Sequence, residues 1–129
     1  MKPNYLDVAA AIIWQQDRIL ISQRKTDASD GGLWEFPGGK CHPDETLEAC
    51  LIREIKEELD ILIHVQRPAI RIEHPTAGIM IRLHVFHCQF IAGTPKPLGC
   101  ADWRWVFTPD LPKYNFMEPD YQIIEMLQK

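Results

Sequence analysis

The chain has 129 residues, 46% of them hydrophobic, and a formal charge of -4 from 14 basic and 18 acidic side chains. That size and apolar content suit one domain with a sizeable core, so residues 1–129 are expected to form a single unit. The acidic balance argues against long nucleic acid as a partner, because phosphate neutralisation needs a basic face. It leaves room for a phosphorylated small molecule whose charge a metal ion offsets. No apolar run approaches the roughly 20 residues of a membrane span, so no membrane partner is expected and a soluble cytoplasmic protein is the plain expectation.

In chain order, "VAAAIIW" and "RILISQR" are β-like runs joined by the polar "QQD", an antiparallel pair by pattern. "LWEF" is the next strand, which Pro37-Gly38-Gly39 is expected to end in a turn. Pro43-Asp44-Glu45-Thr46 carries helix start signals, and the helix is expected to run from Thr46 to Leu59. "ILIHV", "AIRIEH" and "IMIRLHVFHCQFI" have strand composition, with a turn at Pro75-Thr76-Ala77-Gly78. "AGTPKPLGCAD" reads as loop, "WRWVF" as a further strand, and Pro119 to Leu127 as a short helix with Ile123, Ile124 and Leu127 on its apolar side.

Cys41, Cys50, Cys88 and Cys100 form no CxxC pair and no evident disulfide framework, so reduced thiols are expected. "HVFHC" has zinc-ligand residue types, but strand alternation puts His87 on the face opposite His84 and Cys88.

The helix gathers charge at one place. At about 100° per residue, Glu54, Glu57 and Glu58 project within a sector of roughly 100°. Unscreened, such i,i+3 and i,i+4 pairs repel. A solvated face would tolerate them, yet Leu51, Ile55 and Leu59 flank the sector, and Leu47 and Cys50 share it earlier in the helix. Carboxylates converging at the rim of a core suit a divalent ion such as Mg2+ or Mn2+, which prefers hard oxygen donors and shares phosphate oxygens with a substrate. Arg53 stands where a guanidinium holds a carboxylate in a bidentate bond. Gly38 and Gly39 let the backbone approach a ligand closely, with carbonyls free to face a metal.

The spacing Gly39, five residues, Glu45, seven residues, then Arg53-Glu54-Ile55-Lys56-Glu57-Glu58-Leu59-Asp60-Ile61 resembles the Nudix box, G-x5-E-x7-R-E-U-x-E-E-x-G-U with U aliphatic. Asp60 is the one departure; it stands at a glycine cap, where aspartate adopts the left-handed conformation at modest cost. "LWEFPGGK", "WRWV" and "LPKYNFMEPDYQII" are similar to flanking segments of MutT-like nucleotide pyrophosphohydrolases, so the resemblance covers most of the chain.

The resemblance implies an α+β fold, a mixed β-sheet sandwiched between helices (α/β/α). It implies that Glu54, Glu57 and Glu58 bind Mg2+ or Mn2+ with the Gly38 carbonyl, that Arg53 orients the glutamates, and that Glu54 is the general base. An acidic residue before the last strand often joins the metals in MutT-like proteins; here Gly99 and Cys100 occupy that region, and Asp102 is the nearest carboxylate. Arg24 matches an arginine that contacts phosphate, and Gly39 and Lys40 continue the substrate wall. Trp34 and Phe36 share a strand face and offer an aromatic platform for a base. Asn115 lies where such enzymes place an asparagine that reads the base edge.

The implied activity is metal-dependent hydrolysis of a small-molecule nucleoside triphosphate to a monophosphate and pyrophosphate, with oxidised nucleotides such as 8-oxo-dGTP as candidates. A cytidine nucleotide or another diphosphate-linked metabolite is the alternative within the family. A catalytically silent nucleotide-binding Nudix module, like the one attached to adenine DNA glycosylases, is the alternative that is not an enzyme. No oligomeric state follows from these features.

Overall fold

The computed structural model describes residues 4–28 and 30–129. Along the chain lie β1 (Asn4–Gln15), β2 (Arg18–Gln23), β3 (Trp34–Glu35), β4 (Gly38–Lys40), α1 (Leu47–Leu59), β5 (Leu62–Thr76), β6 (Ile79–Ala92), β7 (Asp102–Phe107), a 3-10 turn (Thr108–Lys113) and α2 (Asp120–Leu127). The strands make one mixed sheet in the order β3-β2-β1-β6-β5, with β4 also paired to β1 and β7 to β2. β1 and β6 run parallel from Asn4↔Ile79 to Trp14↔Gln89, and the other pairings are antiparallel.

β1 is buried on both faces, and its period-2 alternation divides the core. Ala9, Ala11 and Ile13 face α1 and pack with Leu51, Ile55 and Leu59. Ala10 and Ile12 face the other way, toward Leu111, Ile123 and Ile124 of the 3-10 turn and α2. The result is the α+β sandwich that the resemblance implied. Ile12 and Ile13 are fully buried, and each such side chain contributes about 1.5–3 kcal/mol by leaving water.

α1 begins where the sequence signals placed it: Thr46 is the N-cap, its side-chain oxygen accepting from the Ala49 N–H. Asp60 ends the helix at φ 55° and ψ 41°, the left-handed cap conformation, with its own N–H donating to the Lys56 carbonyl.

Three local expectations are corrected. Gly38 and Gly39 do not form a turn; they lie in β4, opposite Ala10 and Ala9 of β1. "ILIHV" and "AIRIEH" are parts of one long strand, β5, with register shifts around Val65–Arg67 and Pro68–Ile70. β5 ends the sheet order, and an edge strand tolerates Pro68 because the missing N–H costs no ladder bond on the open side. Cys41 and Cys50 are joined in a disulfide across a Cα separation of 5.3 Å, while Cys88 and Cys100 are free and buried. The sequence spacing concealed this pair because β4 folds back beside α1 and brings distant positions to bonding range. Among the described residues, no helix is long and apolar enough to cross a membrane.

Candidate functional site

A cleft of about 380 Å3 lies between β1, β4, α1 and the start of α2. Arg24, Glu35, Phe36, Gly38, Gly39, Lys40, Glu58, Met117 and Asp120 are among the residues that line it. A hollow of about 360 Å3 at the β5–β6 hairpin is lined by Pro75 to Met80 and holds no ionisable side chain, and another of about 360 Å3 beside β5 and β6 holds Arg71 and His84 but no carboxylate, so the acidic chemistry belongs to the cleft.

On the α1 side the organising group is Arg53. Its Nε and Nη2 donate to the two carboxylate oxygens of Glu45 at 3.1 and 2.6 Å, a bidentate pair. Nη1 donates to Glu54 at 2.9 Å and to both oxygens of Glu57 at 3.2 and 3.3 Å, and Nη2 also donates to the Lys40 carbonyl at 3.1 Å. One guanidinium therefore ties the loop before α1, the end of β4 and two helix carboxylates together. The Arg53 bonds, helped by the His42 N–H, hold the Glu45 carboxyl down at about 2.

The three helix glutamates are not equivalent. Glu57 is exposed, whereas Glu54 and Glu58 turn toward the sheet and are half-buried. Burial, reinforced by the charges of Glu35 and Glu54, pushes Glu58 up to about 8, against a hydrogen bond from the Gly38 backbone. Glu35 is also raised by burial, opposed by Arg24 at 3.4 Å.

A divalent cation suits this donor set. Among the described residues no three metal-binding side chains yet converge on one point, since Arg53 draws Glu54 and Glu57 to itself. The crowding of negative charge at Glu58, Glu35 and Glu54 nevertheless disfavours ionisation in a way that a cation would reverse. Space is reserved as well: a Cβ on Gly39 would collide with the Glu54 carboxylate, and one on Gly38 with the Ala9 carbonyl. Glycine is needed here for close approach within the sheet, not for a turn. Ser22, fully buried and opposite Glu35 in register, has a hydroxyl without a hydrogen-bond partner. Its alternation with Ile21 puts it on the α1 face, beside the same polar pocket.

The far wall is apolar with one buried acid. Phe36 is 3% exposed and stacks on Phe116, with ring centroids 5.5 Å apart. Asp120, 5% exposed, accepts the Phe36 N–H at 3.0 Å through Oδ2. Burial pushes its carboxyl up to about 7, and the nearby charge of Glu35 adds to the rise while Arg24 opposes it. Val8, Ala10, Ile81, Leu83, Met117 and Pro119 extend this wall.

Several expected site residues are therefore gathered: Arg24, Phe36, Gly38, Gly39, Lys40 and Glu58 line the cleft, with Glu54 beside Gly39. Others are placed apart. Trp34 shares a face with Phe36, but it packs edge-on against Tyr114 under the Arg104 guanidinium and does not line the cleft. Asn115 is exposed, also outside the lining, and its backbone carbonyl accepts from Trp34. Asp102 accepts its neighbour's N–H, that of Trp103, at 2.8 Å, lies 3.6 Å from Arg104, and does not line the cleft.

The sequence reading missed Asp120, Glu35 and the part played by Glu45. Glu45 was available as a fixed position of the box. Asp120 stands by position as an ordinary acid in the first turn of a helix, where the dipole favours one, and its burial is decided by packing alone.

A model of the NUDIX domain matches residues 8–126. The chain is 32% identical over 120 residues to a CTP pyrophosphohydrolase of Escherichia coli K12, covering 93% of this chain and 89% of that relative. It is 31% identical over 126 residues to an 8-oxo-dGTP diphosphatase of Buchnera aphidicola subsp. Schizaphis graminum, covering 98% and 95%. The solution structure of the E. coli ORF135 protein superimposes with a TM-score of 0.86 at 30% identity, over 98% of this chain and 90% of that one.

Proposed function

Because the chain belongs to the NUDIX domain family and is a pyrophosphohydrolase of nucleotide diphosphate linkages, we propose that it cleaves a nucleoside triphosphate to a nucleoside monophosphate and pyrophosphate. The observation that carries this reading is the polarity of the cleft: helix carboxylates border one end, and an apolar wall with one buried acid forms the other. A ligand with a charged diphosphate and a flat, hydrogen-bonding ring matches both ends.

Glu54, Glu57, Glu58 and the Gly38 carbonyl would hold Mg2+ or Mn2+. When bound, the ion supplies charge neutralisation on phosphoryl oxygens and acidifies water. Arg53 keeps Glu54 in place through its bond at 2.9 Å while anchored itself on Glu45. Glu54 is the carboxylate that takes the proton of the attacking water. Arg24 and Lys40, both on the lining, bind the phosphate chain. Asp102 has no part in this scheme, since its carboxylate is engaged with Trp103 and Arg104.

Asp120 takes the base-reading role first expected of Asn115. One oxygen is committed to Phe36, and the other is left for the ring edge. A carboxyl near neutrality in pKa meets that edge either as acceptor or as donor. An oxidised purine nucleotide such as 8-oxo-dGTP is the leading substrate, supported by the relative from Buchnera. A cytidine nucleotide is the second, supported by the E. coli relative. Both rings present donors that a carboxylate accepts.

The test is a panel of normal and oxidised nucleoside triphosphates, dinucleotides and nucleotide sugars with Mg2+, identifying both products. Release of pyrophosphate with a kcat/KM at least tenfold higher for one triphosphate is expected. Preference for a dinucleotide or nucleotide sugar would overturn the substrate assignment.

A further inference from the structure

We propose that Cys41 and Cys50 form a reversible thiol–disulfide site, taking small-molecule disulfides and dithiols as co-reactants, that sets how firmly β4 is held against the glutamate helix. The site sits at the junction of the two elements that build the metal end of the cleft. Cys41 follows β4 directly, two residues after Gly39, and Cys50 lies one turn before Glu54 on α1. Their bond links the strand that carries Gly38 and Gly39 to the helix that carries the carboxylates.

Access and fallback contacts both suit reversibility. Cys41 is half-buried and within reach of a reagent, whereas Cys50 is fully buried. Cys50 Sγ lies 3.8 Å from the Gly39 carbonyl. A disulfide sulfur has no proton to donate, but the freed thiol would have that carbonyl as its acceptor. The junction does not depend on the disulfide alone, because Arg53 joins Glu45 and the Lys40 carbonyl independently of the sulfurs. The reduced chain therefore stays folded, with a looser junction.

The chemistry balances with a small-molecule disulfide such as glutathione disulfide. The Cys41 thiolate attacks one sulfur of the oxidant, forming a mixed disulfide and releasing one glutathione thiolate. The Cys50 thiolate then displaces the second glutathione and closes the protein bond. Two electrons and two protons pass from the cysteines to two glutathione molecules, and a dithiol reverses the sequence.

The functional consequence rests on the metal reading given above. With the disulfide closed, β4 and α1 are already held together before an ion binds, so binding orders less of the chain. The oxidised form should bind Mn2+ about five- to tenfold more tightly than the reduced form, a coupling of ordinary size.

The test uses the whole chain equilibrated in glutathione buffers of graded ratio, then alkylated and weighed by intact and peptide mass spectrometry. A two-electron transition confined to Cys41 and Cys50 is expected, with Cys88 and Cys100 unchanged. Mn2+ affinity by electron paramagnetic resonance and amide exchange across residues 38–54 are then measured in both states. Cys41→Ser and Cys50→Ser should each match the reduced wild type and ignore the buffer ratio. Failure to form the bond at any ratio, or a bond that leaves both exchange and Mn2+ affinity unchanged, overturns the proposal. If Mn2+ binds neither state, the metal reading fails and the exchange difference alone decides the junction. A chain that hydrolyses no nucleotide but shows the redox transition and the affinity shift loses its proposed substrate and keeps this site.

Discussion

The two ends of the cleft are built in opposite ways. At the metal end, Glu45, Arg53, Glu54, Glu57 and Glu58 fall within a short stretch, and one guanidinium reaches three of the four carboxylates. At the ring end, Phe36, Leu83 and Asp120 come from the loop after β3, from β6 and from α2, and meet only because the sheet and the last helix close over them. Helical periodicity arranges all of the first group except Glu45, which precedes the helix, whereas the second exists only in the folded chain. Substitutions at the first end should therefore affect all substrates alike, and those at the second should change which substrate is preferred.

The largest effect is expected at the metal end. Glu54→Gln should lower kcat by about a hundredfold or more for every nucleotide, the scale of a lost general base. Its melting temperature should stay close to that of the parent, and a loss confined to one substrate would break the proposed division. Arg53→Lys should lower kcat by roughly tenfold, because an ammonium cannot reproduce the bidentate bond to Glu45 while also reaching Glu54. Thermal unfolding should show a lower midpoint in the same variant.

Asp120→Asn tests the ring end. It should lower kcat/KM for the preferred nucleotide by about ten- to a hundredfold and leave poor substrates nearly unchanged. Asn115→Ala, by contrast, should leave the ranking of substrates as it was, since Asn115 is exposed and outside the cleft. A flattened ranking in Asn115→Ala would return the base-reading role to that residue.

The same aspartate has a pH signature. Its carboxyl lies at about 7 in the folded chain, above its ordinary value of 3.8, so the folded state resists ionising it. Between those two values the unfolded chain gives up the proton and the folded chain keeps it. Asp120 therefore costs no stability below pH 4, costs progressively more up to about pH 7, and a constant amount beyond. Denaturant titrations should show Asp120→Asn losing less stability than the parent as pH rises through that window.

The smallest effect belongs to Asp60→Gly. Relief of the left-handed backbone favours glycine, but the substitution removes ion pairs to Lys56 at 2.8 Å and Lys96 at 3.4 Å. Because these pairs are solvent-exposed, the two effects should nearly cancel, with a melting temperature within about 3 °C of the parent. Turnover should be unchanged, as the Asp60 carboxylate points to lysines and not into the cleft.

The glutamate helix, its start at Thr46 and its left-handed end at Asp60 were legible in the sequence by itself. So was the β-like run of β1, because helical and strand periods are local properties, while the α+β class followed from the family resemblance that the box and its flanks carry. The partner of Arg53, the disulfide between Cys41 and Cys50, and the strand made by Gly38 and Gly39 needed tertiary structure. Each depends on β4 folding back between β1 and α1. Asp120 and Asn115 show the limit most plainly: two polar residues five positions apart, one buried against Phe36 and the other left in solvent. No local pattern separates them, because burial is decided by what the rest of the chain packs against each side chain.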